Sequence, residues 1–223
     1  MGQTLSGVGV LDKSVAVLEA VETATRAERA CGLGELTEST GLPRATAHRL
    51  ASALAAHGIL ARDDEGAFTL GARLIGLGHA AVGAWPVAEI ARPILTDLCR
   101  RTGESVQLYV REGDQRVCLV SIESPHELRT IVAEGARLPL SVGSAGRLLA
   151  GYQPTEGWTA SVEERAPGVA SVSAPVRNAG GSIIAAIGIS GPVGRLGVEP
   201  GAVFGDDVSR AGAAVERELL SRR

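Results

Sequence analysis

Between Glu38 and Asp63 the sequence carries no acidic residue, and this acid-free window coincides with a pattern of turns and apolar spacing that few folds accommodate. The stretch runs from Gly32 to Gly71. Leu33 and Leu36 supply apolar contacts for a short helix over Glu35–Ser39. Thr40-Gly41 ends it, because glycine accepts the left-handed backbone that follows a helix. Leu42 leads into Pro43, which suits the first position of a new helix, where its missing N–H would have no partner anyway. That second helix is expected over Pro43–His57, with Gly58 as its stop. Ala47, Leu50, Ala51 and Leu54 fall at i, i+3, i+4 and i+7, a stripe that faces a core. The opposite face carries Arg44, Ala45, His48, Arg49 and Ser52.

Ile59–Arg62 and Ala67–Leu70 read as two strands around the turn Asp63-Asp64-Glu65-Gly66, a hairpin signal. Two helices joined by a tight turn and followed by a hairpin make a winged helix–turn–helix, whose second helix offers its N-terminal half to the major groove of DNA. Arg44 and Arg49 can reach guanine edges or phosphates, Thr46 can bond a phosphate or touch a thymine methyl, and His48 shares their face. The wing tip is acidic, so Arg62 rather than the tip is expected near phosphate. The competing reading is a three-helix scaffold with a solvated basic face. Turn, acid-free helix and wing together favour double-stranded DNA.

The totals limit what else the chain can be. It has 223 residues, enough for one large or two small domains, and a formal net charge of −3. Any contact with DNA must therefore come from a local patch. Cys31, Cys99 and Cys118 are widely spaced, and no Cys-x-x-Cys or Cys/His cluster suggests a metal site. They read as free thiols of a reducing cytosol. The opening MGQTLSGVGVLDKS lacks an apolar run of signal-peptide length, and no segment has the uninterrupted apolar length to span a bilayer. A cytoplasmic protein without membrane contact and without a cofactor is expected.

Outside the central stretch, Ser14–Arg26 reads as a first helix with Val15, Leu18 and Val21 or Glu22 on one face, Val17 beside it, and Asp12 or Ser14 as its cap. Thr23–Cys31 reads as a polar connection. Gly71–Gly83 reads as a linker helix along Leu74, Ile75, Leu77 and Val82, weakened by interior glycines. Trp85–Arg101 is an amphipathic helix opened by Pro86. Glu104–Val110 and Arg116–Ile122 alternate and form a hairpin. Leu128–Val132 reads as a weak third strand, and Ser141–Ala150 as a Gly/Ser-rich loop opening a short helix. Gly168–Arg177 and Ser182–Ser190 flank Asn178-Ala179-Gly180-Gly181, the strongest hairpin signal in the chain. Gly205–Ser221 is a terminal helix. The second half is therefore α+β, with helices at both ends of an antiparallel sheet. Ser171, Ser173, Gly188 and Ser190 stand where Val or Ile would be expected. They suggest a concave pocket lined with hydroxyls, or else close sheet–helix packing. Enzymatic chemistry finds little support: there is no G-x-S-x-G elbow and no Walker loop, and His126 is the only histidine of the second half.

The residues that carry a family resemblance are now in place. SVAVLEAV, LGELTESTGLPRATAHRLASALAAHGILARDDEGAFTLGARLIGLG and GVASVSAPVRNAGGSIIAAIGISGP together resemble the IclR family of bacterial transcriptional regulators, and within it the NdgR-like actinobacterial branch of amino-acid-biosynthesis regulators. The resemblance implies a winged helix–turn–helix over 8–70, a linker helix over 71–84 and a GAF-like antiparallel-sheet effector domain over 85–223. It implies homodimers or homotetramers that bind pseudo-palindromic operators and answer to a small-molecule effector. Carried over by position, the effector pocket would involve Leu138, Ser144, Ala145, Gly146, Ser161, Val169, Ser171, Gly188 and Ser190. The sequence departs from the family at Ser161, where many members are acidic, and at Ser171, where many have Cys. The Ala150–Trp158 segment is also shorter than usual, so either the pocket is open and reduced or the sequence has a gap there. A reduced pocket would leave a constitutive DNA-binding protein.

Overall fold

The computed structural model describes residues 7–222; the first six residues of the opening stretch and the Val82 side chain lie outside what is described. The chain divides into two compact units between Ala84 and Trp85.

The first unit contains α1 (Gly9–Arg26), α2 (Leu33–Thr40), α3 (Arg44–Ala56), the strands β1 (Leu60–Arg62) and β2 (Phe68–Leu70), and α4 (Arg73–Gly83). Its core takes Val17, Val21 and Ala24 from α1, Leu36 from α2, Ala47, Leu50 and Ala51 from α3, and Leu60 and Phe68 from the hairpin. Gly41 adopts φ 66° and its N–H bonds the Thr37 carbonyl at 3.0 Å, which stops α2 and turns the chain. The hairpin pairs Leu60 with Leu70, and Cys31 pairs with Phe68 as a third, single-residue edge. Asp63 Oδ1 accepts the Glu65 and Ala67 N–H groups, closing the wing turn.

Several expectations for this unit are corrected. α1 starts at Gly9, not Ser14, with Val8 as its cap; the Ser14 hydroxyl bonds back to the Val10 carbonyl instead of capping. The helix ends at Arg26, as expected, so the polar connection begins after Arg26 rather than at Thr23; the buried stripe of α1 is Val17, Val21 and Ala24, while Val15 is exposed. Pro43 is the cap residue of α3 rather than its first turn. On α4, Ile75 and Leu77 are exposed.

The second unit contains α5 (Pro86–Thr102), β3 (Ser105–Glu112), β4 (Gln115–Ile122), β5 (Arg137–Pro139), α6 (Ser144–Leu149), β6 (Thr159–Val162), β7 (Val169–Arg177), β8 (Ile183–Pro192), α7 (Val193–Leu196) and α8 (Pro200–Ser221). The six strands form one antiparallel sheet in the order β5-β4-β3-β8-β7-β6. Alternation along a strand sends successive side chains to opposite faces. Val106, Leu108 and Val110, with Ile187 and Ile189 and with Val172 and Val176, join the core shared with α5 and α8. The other face carries a smaller cluster in which Tyr109, Cys118 and Ala186 meet Leu148 and Leu149 of α6.

Leu128–Val132 is not a strand. β4 pairs with β3, as expected, and on its other side with β5, Gln115 facing Pro139; β6 is a strand the sequence did not suggest. α8 begins at Pro200, five residues before the expected start, with the proline in its first turn, where a missing N–H has no partner to lose; Gly201 and Gly205 lie against the Trp158 ring, where a Cβ would collide. The fold is α+β. No single described helix is long and apolar enough to cross a membrane.

Candidate nucleic-acid interface and ligand cavity

In the first unit the buried stripe of α3 turns its other side to solvent. Arg44, Ala45, His48 and Arg49 are exposed, and Thr46 is half-buried. Among the described residues no carboxylate pairs with Arg44 or Arg49. Arg62, exposed on the first wing strand, reaches back across α3. Its Nη2 lies 3.0 Å from His48 Nε2 and donates to Ser52 Oγ at 2.7 Å, while its guanidinium lies 4.7 Å from the centre of the Phe68 ring. The wing is thus braced to the helix through a cation on a shared face, a contact that spacing alone did not reveal. The acidic tip, Asp63 to Glu65, is exposed.

In the second unit the polar alternate positions converge. Gln107 pairs in register with Gly188, Ser173 with Gly188 from the other side, and Ser171 with both Ser190 and Ser161. Period two puts them all on the face away from α5 and α8, and α6 brings Ser144 down onto them. The Ser144 hydroxyl lies 2.7 Å from that of Ser171 and 2.8 Å from that of Ser173; Ser161 and Ser171 hydroxyls are 2.9 Å apart. Ser161 Oγ also accepts the Ser144 N–H at 3.1 Å. Together they wall a cavity of about 30 Å³, on the scale of one or two waters.

Of the positions expected in a pocket, Ser144, Ala145, Ser161, Val169, Ser171, Gly188 and Ser190 line this cavity. Leu138 and Gly146 do not. Leu138, on β5, packs into the small apolar cluster beneath α6. Gly146 lies behind the wall: a Cβ there would strike the Leu140 carbonyl and the Arg116 guanidinium, so its role is clearance.

Gln107, Tyr109, Arg116 and Arg165 were missed and line the cavity too. Gln107 and Tyr109 were legible as alternates of Val106, Leu108 and Val110. Arg116 reads as the first residue of the second strand, a charged position next to the turn. It is 3% exposed, and its Nη1 donates to the Pro139 carbonyl and, at 2.7 Å, to that of Val142. Its guanidinium lies 5.4 Å from the centre of the Tyr109 ring. Burial pulls the Arg116 guanidinium below its ordinary value, the neighbouring Tyr109 opposes this, and Arg165 adds to the lowering; burial pushes the Tyr109 phenol upward.

A winged helix–turn–helix and an α+β domain with a small polar cavity, carried on one chain, define a one-component DNA-binding regulator. The chain belongs to the IclR family of bacterial transcriptional regulators: residues 10–64 match the IclR helix-turn-helix domain, and residues 79–156 and 154–217 match the bacterial transcriptional regulator IclR C-terminal domain. The break between the two C-terminal pieces falls in the short Ala150–Trp158 segment. The chain is 35% identical to the HTH-type transcriptional regulator KipR of Bacillus subtilis over 124 residues, 56% of this chain and half of that protein. It is 28% identical to the HTH-type transcriptional regulator XynR of Escherichia coli over 221 residues, 83% of this chain and 88% of that one. In fold it resembles an IclR homolog from Microbacterium hydrocarbonoxydans crystallised with 4-hydroxybenzoate: TM-score 0.76 at 23% identity, covering 95% of this chain and 99% of that one.

Proposed function

We propose that the protein is a cytoplasmic transcriptional regulator that grips a pseudo-palindromic operator through Arg44, Thr46, His48, Arg49 and Arg62, and that a small-molecule effector in the second unit adjusts that grip. The observation that carries the reading is the two-sided α3: Ala47, Leu50 and Ala51 are buried, and the cationic side is exposed and free of carboxylate partners among the described residues. Repeated half-sites require at least a homodimer, with a homotetramer as the larger assembly. The exposed Val10, Leu11, Ile75 and Leu77 on α1 and α4 support self-association of this unit. The finer placement beside NdgR-like regulators, and with it an organic acid or amino-acid-pathway metabolite as effector, rests on the sequence likeness.

The test is a band-shift titration on operator fragments recovered by genome-wide capture of bound DNA. Arg44→Ala and Arg49→Ala each weaken binding at least about tenfold, with circular dichroism unchanged. Affinity of the wild-type chain falls steeply with salt, because neutralised phosphates release counterions. A titration indifferent to both substitutions rejects the interface. For the effector, a ligand must favour one arrangement of the DNA-binding units to change operator affinity.

A further inference from the structure

We propose that the outer edge of β6, with the groove between it and the start of α8, is a docking site for a partner protein: an extended cationic segment that adds to the sheet as a seventh strand. It is independent of the effector reading above.

β6 is the last strand of the sheet, so one of its edges has no neighbouring strand. The Glu163 N–H bonds the Val169 carbonyl at 2.8 Å, and Ser161 and Thr159 stand opposite Ser171 and Ser173. In an antiparallel ladder, hydrogen-bonded pairs alternate with pairs that are not. Ala160 and Val162 therefore turn their N–H and C=O groups away from β7. Of these four groups, only the Ala160 carbonyl is taken among the described residues, by the Arg147 guanidinium. An edge left open in this way is a template for another chain, and proteins as a rule cover or charge it.

Beside this edge runs a groove of about 580 Å³ whose walls include Trp158, Val162, Val198, Pro200 and Ala202. Val198 is 78% exposed, an apolar side chain left to solvent. The groove lies at the end of the short Ala150–Trp158 segment, where the match to the family's C-terminal domain breaks off and resumes. Charge selects the occupant. Glu156, Glu164 and Glu199 border the groove, and its one cation, Arg147, is already paired with Glu164. Glu156 and Glu199 are exposed and have no ion-pair partner among the described residues. A second copy paired edge to edge about a two-fold axis would bring the Glu163–Glu164 end of each β6 to the Glu156 end of the other, acid against acid. A strand flanked by lysines or arginines meets the opposite sign. Main-chain bonds to Ala160 and Val162 supply the hold, and alternate side chains read the groove and its rim. β6 has four residues, so the added strand covers about 13 Å of edge.

The experiment uses the full chain without DNA, which would itself bind a basic peptide. The probe is a capped hexapeptide of alternating valine and lysine. One control is the valine–glutamate counterpart; the other is the valine–lysine peptide with every amide N-methylated, which keeps the charge and removes the donors. Binding is read by calorimetry and by Trp158 emission in a Trp85→Phe chain, which leaves Trp158 as the only tryptophan. The valine–lysine peptide should bind with a Kd below about 1 mM, at least about tenfold more tightly than either control. Ala160→Pro removes an outward N–H and spares the β6–β7 ladder, so it should weaken binding at least about tenfold. Glu156→Lys/Glu199→Lys changes only exposed positions and should do the same, so a folding defect in Ala160→Pro does not decide the matter. Equal binding of either control, binding unmoved by both sets of substitutions, or no binding up to about 10 mM overturns the proposal. So does sedimentation in which Ala160→Pro alone lowers the assembly state, because the edge then belongs to a second copy of the chain.

Discussion

Ser144 and Ser171 share a hydroxyl–hydroxyl hydrogen bond of 2.7 Å that ties the first turn of α6 to the seventh strand of the sheet. Ser144 is the hub, since the same oxygen also meets Ser173. Removing Ser171 leaves Ser144 bonded to Ser173 and Ser161 bonded to the Ser144 N–H. Removing Ser144 leaves Ser173, which is 1% exposed, without its hydroxyl partner. A stranded buried hydroxyl costs about 1–3 kcal/mol, against about 1 kcal/mol for a bond whose partners find others. Ser144→Ala should therefore lower the urea midpoint more than Ser171→Ala does. The reverse order would mean that the network does not hold α6 in place.

Gly188 provides the floor of the cavity. A Cβ there would stand 2.8 Å from Ser173 Oγ, so that hydroxyl must swing away and the added methyl takes up space. Gly188→Ala should keep basal operator binding, because the first unit is untouched. Effector response should fall at least about tenfold, the scale of a lost well-placed contact. Dose–response band shifts check it; an unchanged half-maximal concentration would place the effector elsewhere.

How much of this was legible follows from which signals are local. The turn at Gly41, the stripe on α3 and the hairpin at Asn178–Gly181 depend on neighbours within a few residues, and the structure reproduces their placement within a residue or so. The seating of α8 on the rest of its unit involves Trp158, more than forty positions away in sequence, whose ring lies where a Cβ at Gly201 or Gly205 would stand. Pro200 marks the start locally, but nothing near it announces the contact with Trp158. In the cavity, the serines betrayed themselves as small polar residues at positions where a sheet expects β-branched ones. Arg116 gave no such sign, because a charged residue at the start of a strand reads as solvated. Only the fold shows that β5 and α6 close over it. Leu138 and Gly146 were placed by likeness to the family rather than by geometry, and they serve as packing and clearance.

Arg195 and Glu104 form a two-pronged ion pair, Nε to Oε1 at 2.6 Å and Nη2 to Oε2 at 2.8 Å, that pins α7 to the start of β3. The Glu104 side chain is 4% exposed and that of Arg195 30%. Arg195→Ala leaves a buried carboxylate without its partner, a loss on the order of 3 kcal/mol. The double variant Arg195→Met/Glu104→Gln removes the charge with its partner and should recover most of that loss. Urea titration of the wild type, Arg195→Met, Glu104→Gln and the double variant gives the coupling, and additive losses would show that the pair contributes little.

The buried thiol of Cys118 gives the stability a dependence on alkaline pH whose sign is fixed. Burial pushes this thiol up to about 12 from an ordinary value of 9.0, and the Glu134 carboxylate adds to the rise. Between those values the unfolded chain has released the proton and the native chain still holds it. The native state then binds more protons, so stability falls with rising pH. The contribution is whole below 9.0 and is lost progressively as pH climbs toward 12. Cys31 and Cys99 are shifted upward by burial as well, so part of the slope belongs to them. Cys118→Ala should therefore flatten, without abolishing, the decline in urea midpoint between about pH 8.5 and pH 10.5. At neutral pH the same thiol is protonated and has 0% exposure, so the native chain should resist thiol reagents that label the unfolded one at once. Parallel declines for the wild-type and Cys118→Ala chains would show that this thiol is not what the native state protects.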